Sequence, residues 1–252
     1  MQAMIFAAGL GTRLKPLTDI MPKALVEVGG VPLLRRVIFS LHDVGFDRIV
    51  VNVHHFASQI EAYLQANDNF GLDIRISDET KELLETGGGL KHASQLFLPQ
   101  EPILIHNVDI LSNVNLLKFY HKPVQGANLL VSKRKTKRYL LFDGNMRLVG
   151  WTNIETKQVK SPYPELLSMP YELLMERYKK FAFSGIHVFS PKLFSKMADW
   201  PQRFSIIDFY LKVCDKEEIY GCVKEDLKLL DVGKLSTLHE AETFLRDLEI
   251  SR

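Results

Sequence analysis

Short apolar runs and helix-like stripes take turns along the first half of this 252-residue chain, and that alternation restricts the fold to α/β with a mostly parallel sheet. Met4-Ile5-Phe6-Ala7-Ala8 is an apolar run that stops at Gly9, as a buried strand does. Leu33, Leu34, Val37, Ile38, Leu41 and Val44 then fall on one helical face that Gly45 closes. Ile49 to Val53 is a second strand, a helix over 57–66 follows, and Asp73 to Ile76 is strand-like. Another helix is expected near Gly89, with strands at Pro102–His106 and Ala127–Ser132. The connections are short, so these elements are expected to share one sheet.

Beyond about residue 139 the pattern changes. Leu140–Phe142, Arg147–Val149 and Ala182–Phe189 read as strands, and Leu235 to Leu248 as a packed helix. Ser161–Tyr178 holds three prolines before a helical stretch at Tyr171–Met175; lid, oligomer contact and surface excursion all suit it. No repeat or low-complexity linker occurs, so residues 1–252 are expected to form one compact unit.

Composition excludes several function classes. Lys plus Arg number 32 against 30 Asp plus Glu, a balance that gives no reason to expect nucleic acid or membrane as partner. The local excess Lys133, Arg134, Lys135, Lys137, Arg138 is expected to be a solvated turn. Cys214 and Cys222 lack zinc-ligand spacing and read as idle thiols in a reducing compartment. The N-terminus has no signal-like composition and no long apolar span occurs, so a cytoplasmic protein is expected, monomeric or a small homo-oligomer. His54 and His55 are adjacent on a strand end and point apart, which argues against a shared metal.

The richest string is Ala7-Ala8-Gly9-Leu10-Gly11-Thr12-Arg13-Leu14-Lys15-Pro16-Leu17-Thr18, followed by Met21-Pro22-Lys23-Ala24-Leu25. Closely spaced glycines after a strand let bare backbone approach a ligand and offer N–H groups to phosphate oxygens. Arg13 and Lys23 supply cations. Leu14 stands where a dinucleotide fingerprint needs its third glycine, and no Gly-Lys-Ser/Thr follows as a P-loop requires.

The whole string resembles the signature loop of the sugar nucleotidyltransferases, a Gly-x-Gly-Thr-Arg-Leu-x-Pro-Leu-Thr run ending in Pro-Lys-Ala/Pro-Leu. The resemblance extends through Asn107-Val108-Asp109, where valine replaces the usual glycine, and Leu230-Asp231-Val232-Gly233, where leucine replaces an aromatic. It also takes in Phe183-Ser184-Gly185-Ile186 and Leu84-Glu85-Thr86-Gly87-Gly88-Gly89, the latter similar to the N-acetylmuramate-1-phosphate uridylyltransferases.

The resemblance implies a Rossmann-like three-layer fold with a mixed, mostly parallel central sheet and no β-helix module after it. It implies a nucleoside triphosphate and a sugar 1-phosphate as substrates and Mg²⁺ as cofactor. Arg13, Lys23 and Asp109 would act on the reacting phosphates. Ala8, Gly9, Leu10, Gly11, Thr12, Glu85, Thr86, Gly87, Gly88 and Asn107 would line the nucleotide. Ser184, Gly185 and Ile186 would lie beneath the sugar, with Gly185 letting the ring approach backbone. Asp109 and Asp231 would hold the metal, and one of Lys157, Lys160, Lys179 and Lys180 the sugar phosphate. UTP is favoured as donor; a mannose-1-phosphate guanylyltransferase and a non-catalytic nucleotide-binding regulator stay open as alternatives.

Overall fold

The computed structural model describes residues 1–250. Its first strand, β1 (Gln2–Phe6), is buried throughout and sits inside the sheet, paired on both edges. Ala3 and Ile5 enter the core on one face while Met4 and Phe6 enter the core on the other, so the apolar run is continuous because both faces are covered. The hairpin β2 (Glu27–Val28) and β3 (Val31–Pro32) leads into α1 (Leu33–His42), whose buried stripe is the one expected. Gly45 closes it at φ 96°, in the left-handed region.

β4 (Arg48–Val53), α2 (Ala57–Ala66), β5 (Asp73–Asp78), α3 (Glu85–His92) and β6 (Ile103–Asn107) complete the first half. α3 opens at Glu85, four residues before the expected start, because the glycines lie inside the helix and not in a loop ahead of it. Short β7 (Ile110–Ser112) and α4 (Leu116–Tyr120) precede β8 (Ala127–Ser132).

In the second half come β9 (Arg138–Phe142), β10 (Leu148–Asn153) and β11 (Gln158–Lys160), then α5 (Pro164–Ser168) and α6 (Tyr171–Arg177). The long β12 (Lys179–Phe189), α7 (Ile206–Val213), β13 (Ile219–Val223), β14 (Leu229–Asp231) and α8 (Leu235–Ile250) finish the fold.

The ten-stranded sheet runs β11-β10-β9-β12-β6-β1-β4-β5, with β8 and β13 added beside β12. β10 and β12 run against the remaining eight strands, so the sheet is mixed and mostly parallel. Helices α1, α2 and α8 cover one face, and α3 and α7 the other. In the 161–178 stretch α5 and α6 build a third small core on Leu141 and Val149, on the outer face of β9 and β10. Among the described residues no helix is long and apolar enough to cross a membrane.

Candidate active site

Parallel strands deliver their carboxyl ends to one edge, and here three of them meet. β1 runs out into Ala7-Ala8-Gly9, β6 into Val108-Asp109, and Asn52 lies near the end of β4. They open onto a cavity of about 360 Å³ lined by Ala8, Gly9, Lys23, Thr86, Asn107 and Asp109, among others. Gly11 is left-handed at φ 63°, and a Cβ there would come within 2.8 Å of Thr18, so glycine alone permits the turn. The N–H groups of Gly9, Leu10 and Gly11 donate to no protein acceptor among the described residues. Three unpaired donors on an exposed loop suit an anion.

Lys23 is buried to 8% exposure and its ammonium bonds the Asp109 carboxylate. β14 pairs with β7 so that Asp231 lies opposite Ile110, and Val232 N–H donates to Asp109 O at 2.8 Å. That pairing brings together two carboxylates more than a hundred residues apart. Burial first and then the charge of Asp109 push the Asp231 carboxyl above its ordinary value, while Lys23, Arg13 and Arg134 pull it back. Arg13 stands beside it: a Cβ on Gly233 would lie 2.6 Å from both Arg13 Nη2 and Asp231 Oδ1.

Two carboxylates that repel each other are oxygen donors that a cation would relieve. Among the described residues no cluster of three or more His, Cys, Asp or Glu forms a protein cage. A pair of oxygen donors beside a cavity of that volume fits an ion that keeps most of its waters and takes phosphate oxygens as further ligands, as Mg²⁺ does.

The Gly-rich helix α3 sits deeper than its sequence suggested. Glu85 and Thr86 line the cavity, but Gly87 and Gly88 donate their N–H groups to Phe204 O at 2.8 and 3.1 Å. They are buried packing glycines. The Ser184–Ile186 stretch also departs from expectation. Gly185 is left-handed at φ 80°, and the space its Cβ would fill is taken by Asn107 Nδ2 at 2.7 Å. Ser184 and Ile186 are buried in the interior, and their neighbour Phe183 lines a second cavity of about 440 Å³ instead. Of the four lysines, Lys160 lines that second cavity. Lys157 pairs with Glu172, Lys179 bonds Gly144 O, and Lys180 lies over the Tyr139 ring.

A buried relay that the sequence did not reveal holds the loop in place. Asn52 Oδ1 accepts from Ala7 N at 2.7 Å and Ala8 N at 3.3 Å, and Asn52 Nδ2 donates to Glu79 Oε1 at 2.7 Å. Glu79 Oε2 accepts from Leu84 N at 3.1 Å, tying the glycine loop to the start of α3. Burial raises the Glu79 carboxyl above its ordinary value, and the Asn52 and Leu84 bonds oppose that. The available signal was one polar residue inside the apolar run Ile49–Val53.

The nucleotidyl transferase family model matches residues 2–247. The chain belongs to that family. It is 50% identical over 109 residues to the N-acetylmuramate alpha-1-phosphate uridylyltransferase of Caulobacter vibrioides, covering 42% of this chain and 45% of that one. It is 33% identical over 138 residues to the catalytic subunit beta of a mannose-1-phosphate guanylyltransferase of Danio rerio, covering 53% of this chain and 38% of that one. The chain thus spans about half the length of the curated relatives it matches first. Its fold is that of the inositol-1-phosphate CTP transferase from T. maritima, with a TM-score of 0.75 over 98% of this chain and 96% of that one at 17% identity.

Asn52→Ala tests the relay. It leaves the Ala7 N–H and the Glu79 carboxylate without their partner in a buried site, and is expected to lower the unfolding free energy by about 2 kcal/mol in urea titrations. Stability equal to wild type would show that the loop holds without it.

Proposed function

We propose that the chain transfers a nucleotidyl group from a nucleoside triphosphate to a sugar 1-phosphate and releases pyrophosphate, with UTP and an N-acetylmuramate-type hexose 1-phosphate as its pair. One observation carries this reading: Lys23 and Asp109 line a cavity that Ala8 and Gly9 also line, Asp231 and Arg13 stand beside them, and Ser205 lines both that cavity and a second one. Donor and acceptor thereby have adjoining chambers with the charged cluster nearby. The similarity to the Caulobacter uridylyltransferase supports UTP and the acidic sugar. The similarity to guanylyltransferases favours a second reading, GTP with mannose 1-phosphate.

The acceptor phosphate is already an anion at neutral pH, so attack on the α-phosphorus needs no protein base, and charge and position govern the rate. The free N–H groups after β1 would bind the triphosphate. Arg13 would take up charge that develops on the leaving pyrophosphate, and Lys23 would meet the reacting phosphates. Asp109 and Asp231 would hold Mg²⁺, which supplies charge neutralisation and polarises the phosphate. A cytoplasmic setting is part of the same proposal, since the donor is found there.

The test is pyrophosphate release with Mg²⁺ across four nucleoside triphosphates and the 1-phosphates of N-acetylmuramate, N-acetylglucosamine, glucose and mannose. UTP with N-acetylmuramate 1-phosphate is expected to exceed every other pair at least tenfold, by roughly 1.4 kcal/mol in transition-state binding. Preference for GTP with mannose 1-phosphate would establish the second reading. No release from any pair, with nucleotide still bound, would mark a regulator.

A further inference from the structure

The basic run after β8 is the exposed connection that its composition suggested, and two of its arginines also line a cavity. It joins β8 to β9, both of which pair with β12, and Arg134 in it meets that strand at Phe183. Arg134 Nη2 donates to Phe183 O at 3.0 Å, and its charge reaches Asp231. Both Arg134 and Arg138 line the second cavity.

Strand geometry fixes where Arg138 points. Residues two apart on a strand share a face, as do direct cross-strand partners. Arg138 and Leu140 therefore project together from β9; Leu140 is paired with Trp151 of β10, and Trp151 with Lys160 of β11. Leu140 and Trp151 make an apolar floor with a cation at either side. Leu141, on the opposite face, is fastened by α5 and α6.

The charges of this wall do not balance. Lys160 is matched by Asp208 at 2.8 Å and lies 5.4 Å from the Trp151 ring centre. Arg134 reaches toward Asp231, where the reacting phosphate of an acceptor belongs. Arg138 makes no ion pair among the described residues. A neutral sugar would leave that exposed guanidinium, at the cavity wall, to water alone. A single fork of fixed N–H donors is matched by one carboxylate.

We propose that Arg138 is a specificity residue that holds a second anionic group on the acceptor, a carboxylate carried by a substituent of the sugar, while Arg134 holds the end that carries the reacting phosphate. The assignment rests on the reading of the second cavity as the acceptor chamber. It gives the basic run a function that net charge alone did not suggest.

Calorimetry separates this proposal from the transferase reading, because it measures binding whether or not turnover follows. The probes are N-acetylmuramate 1-phosphate and N-acetylglucosamine 1-phosphate, which differ by one lactyl ether bearing a carboxylate. Both are titrated into the full chain with Mg²⁺ and a non-reacting UTP analogue. The wild-type protein is expected to bind the acidic sugar about tenfold more tightly. Arg138→Gln is expected to bring that ratio to about one, with Arg138→Lys intermediate because an ammonium keeps the charge and loses the fork. A wild-type ratio near one, binding of neither sugar, or a ratio that survives Arg138→Gln would overturn the proposal. Absence of pyrophosphate release with the ratio behaving as expected would overturn the transferase reading alone.

Discussion

Replacing Asp109 by asparagine is expected to lower pyrophosphate release by about 10³-fold or more while the chain stays folded. The side chain keeps its shape, so the change is one of charge. Asp109 partners the buried Lys23 and stands beside Asp231, so its carboxylate serves two cations: the ammonium and the metal ion. With asparagine the ion would keep one carboxylate, and affinity for it should fall along with the rate. The fold should tolerate the loss because a second anion is present. Without Asp109 the Asp231 carboxyl loses one of the two causes that raise it and ionises more readily, which supplies Lys23 with a replacement counter-charge. Unfolding free energy is therefore expected to change by no more than about 2 kcal/mol, less than for a buried charge left alone. Turnover within tenfold of wild type, measured at saturating Mg²⁺, would remove Asp109 from the metal role.

The parts of this site that could be read from the chain are those whose chemistry is local. Gly9, Gly11, Arg13 and Lys23 lie within fifteen residues of one another, and their types alone describe a phosphate loop. Asp109 and Asp231 were legible through motif order, and the β7–β14 pairing that unites them was not. Asn52 and Glu79 escaped notice because their partners are 45 and 27 residues away, and a polar residue inside a strand does not announce what it will bond. Arg134 and Arg138 were legible as exposed cations, but the cavity they line was not. Composition correctly flagged a basic run, but only the register of β9 against β10 and β11 turns it toward a cavity. The misplaced start of α3 has the same character: three glycines in succession have poor helix propensity, and tertiary packing overrode it.

That override makes Gly88→Ala a decisive substitution. Propensity by itself would have alanine stabilise the helix by about 1 kcal/mol. Packing says the reverse. A Cβ at Gly88 would lie 2.0 Å from the Gln202 carbonyl oxygen and 3.1 Å from Leu84 Cβ, and a backbone oxygen cannot rotate out of the way. Relief requires α3 and the 202–204 segment to part. That separation strains the bonds from Gly87 and Gly88 N–H to Phe204 O, the return bond from Phe204 N–H to Leu84 O at 3.2 Å, and the bond from Ile206 N–H to Thr86 Oγ1 at 3.0 Å. The expected loss is about 3 kcal/mol in unfolding free energy. Activity should fall as well, since Thr86 and Ser205 line the first cavity and would shift with their segments. Gly144→Ala is the control: it meets no atom within 4 Å and its φ is not positive, so it should be neutral or slightly stabilising. Urea titrations of both variants decide between propensity and packing. A Gly88→Ala protein as stable as the Gly144→Ala control would mean that the 202–204 segment yields freely and that packing does not require glycine at this position.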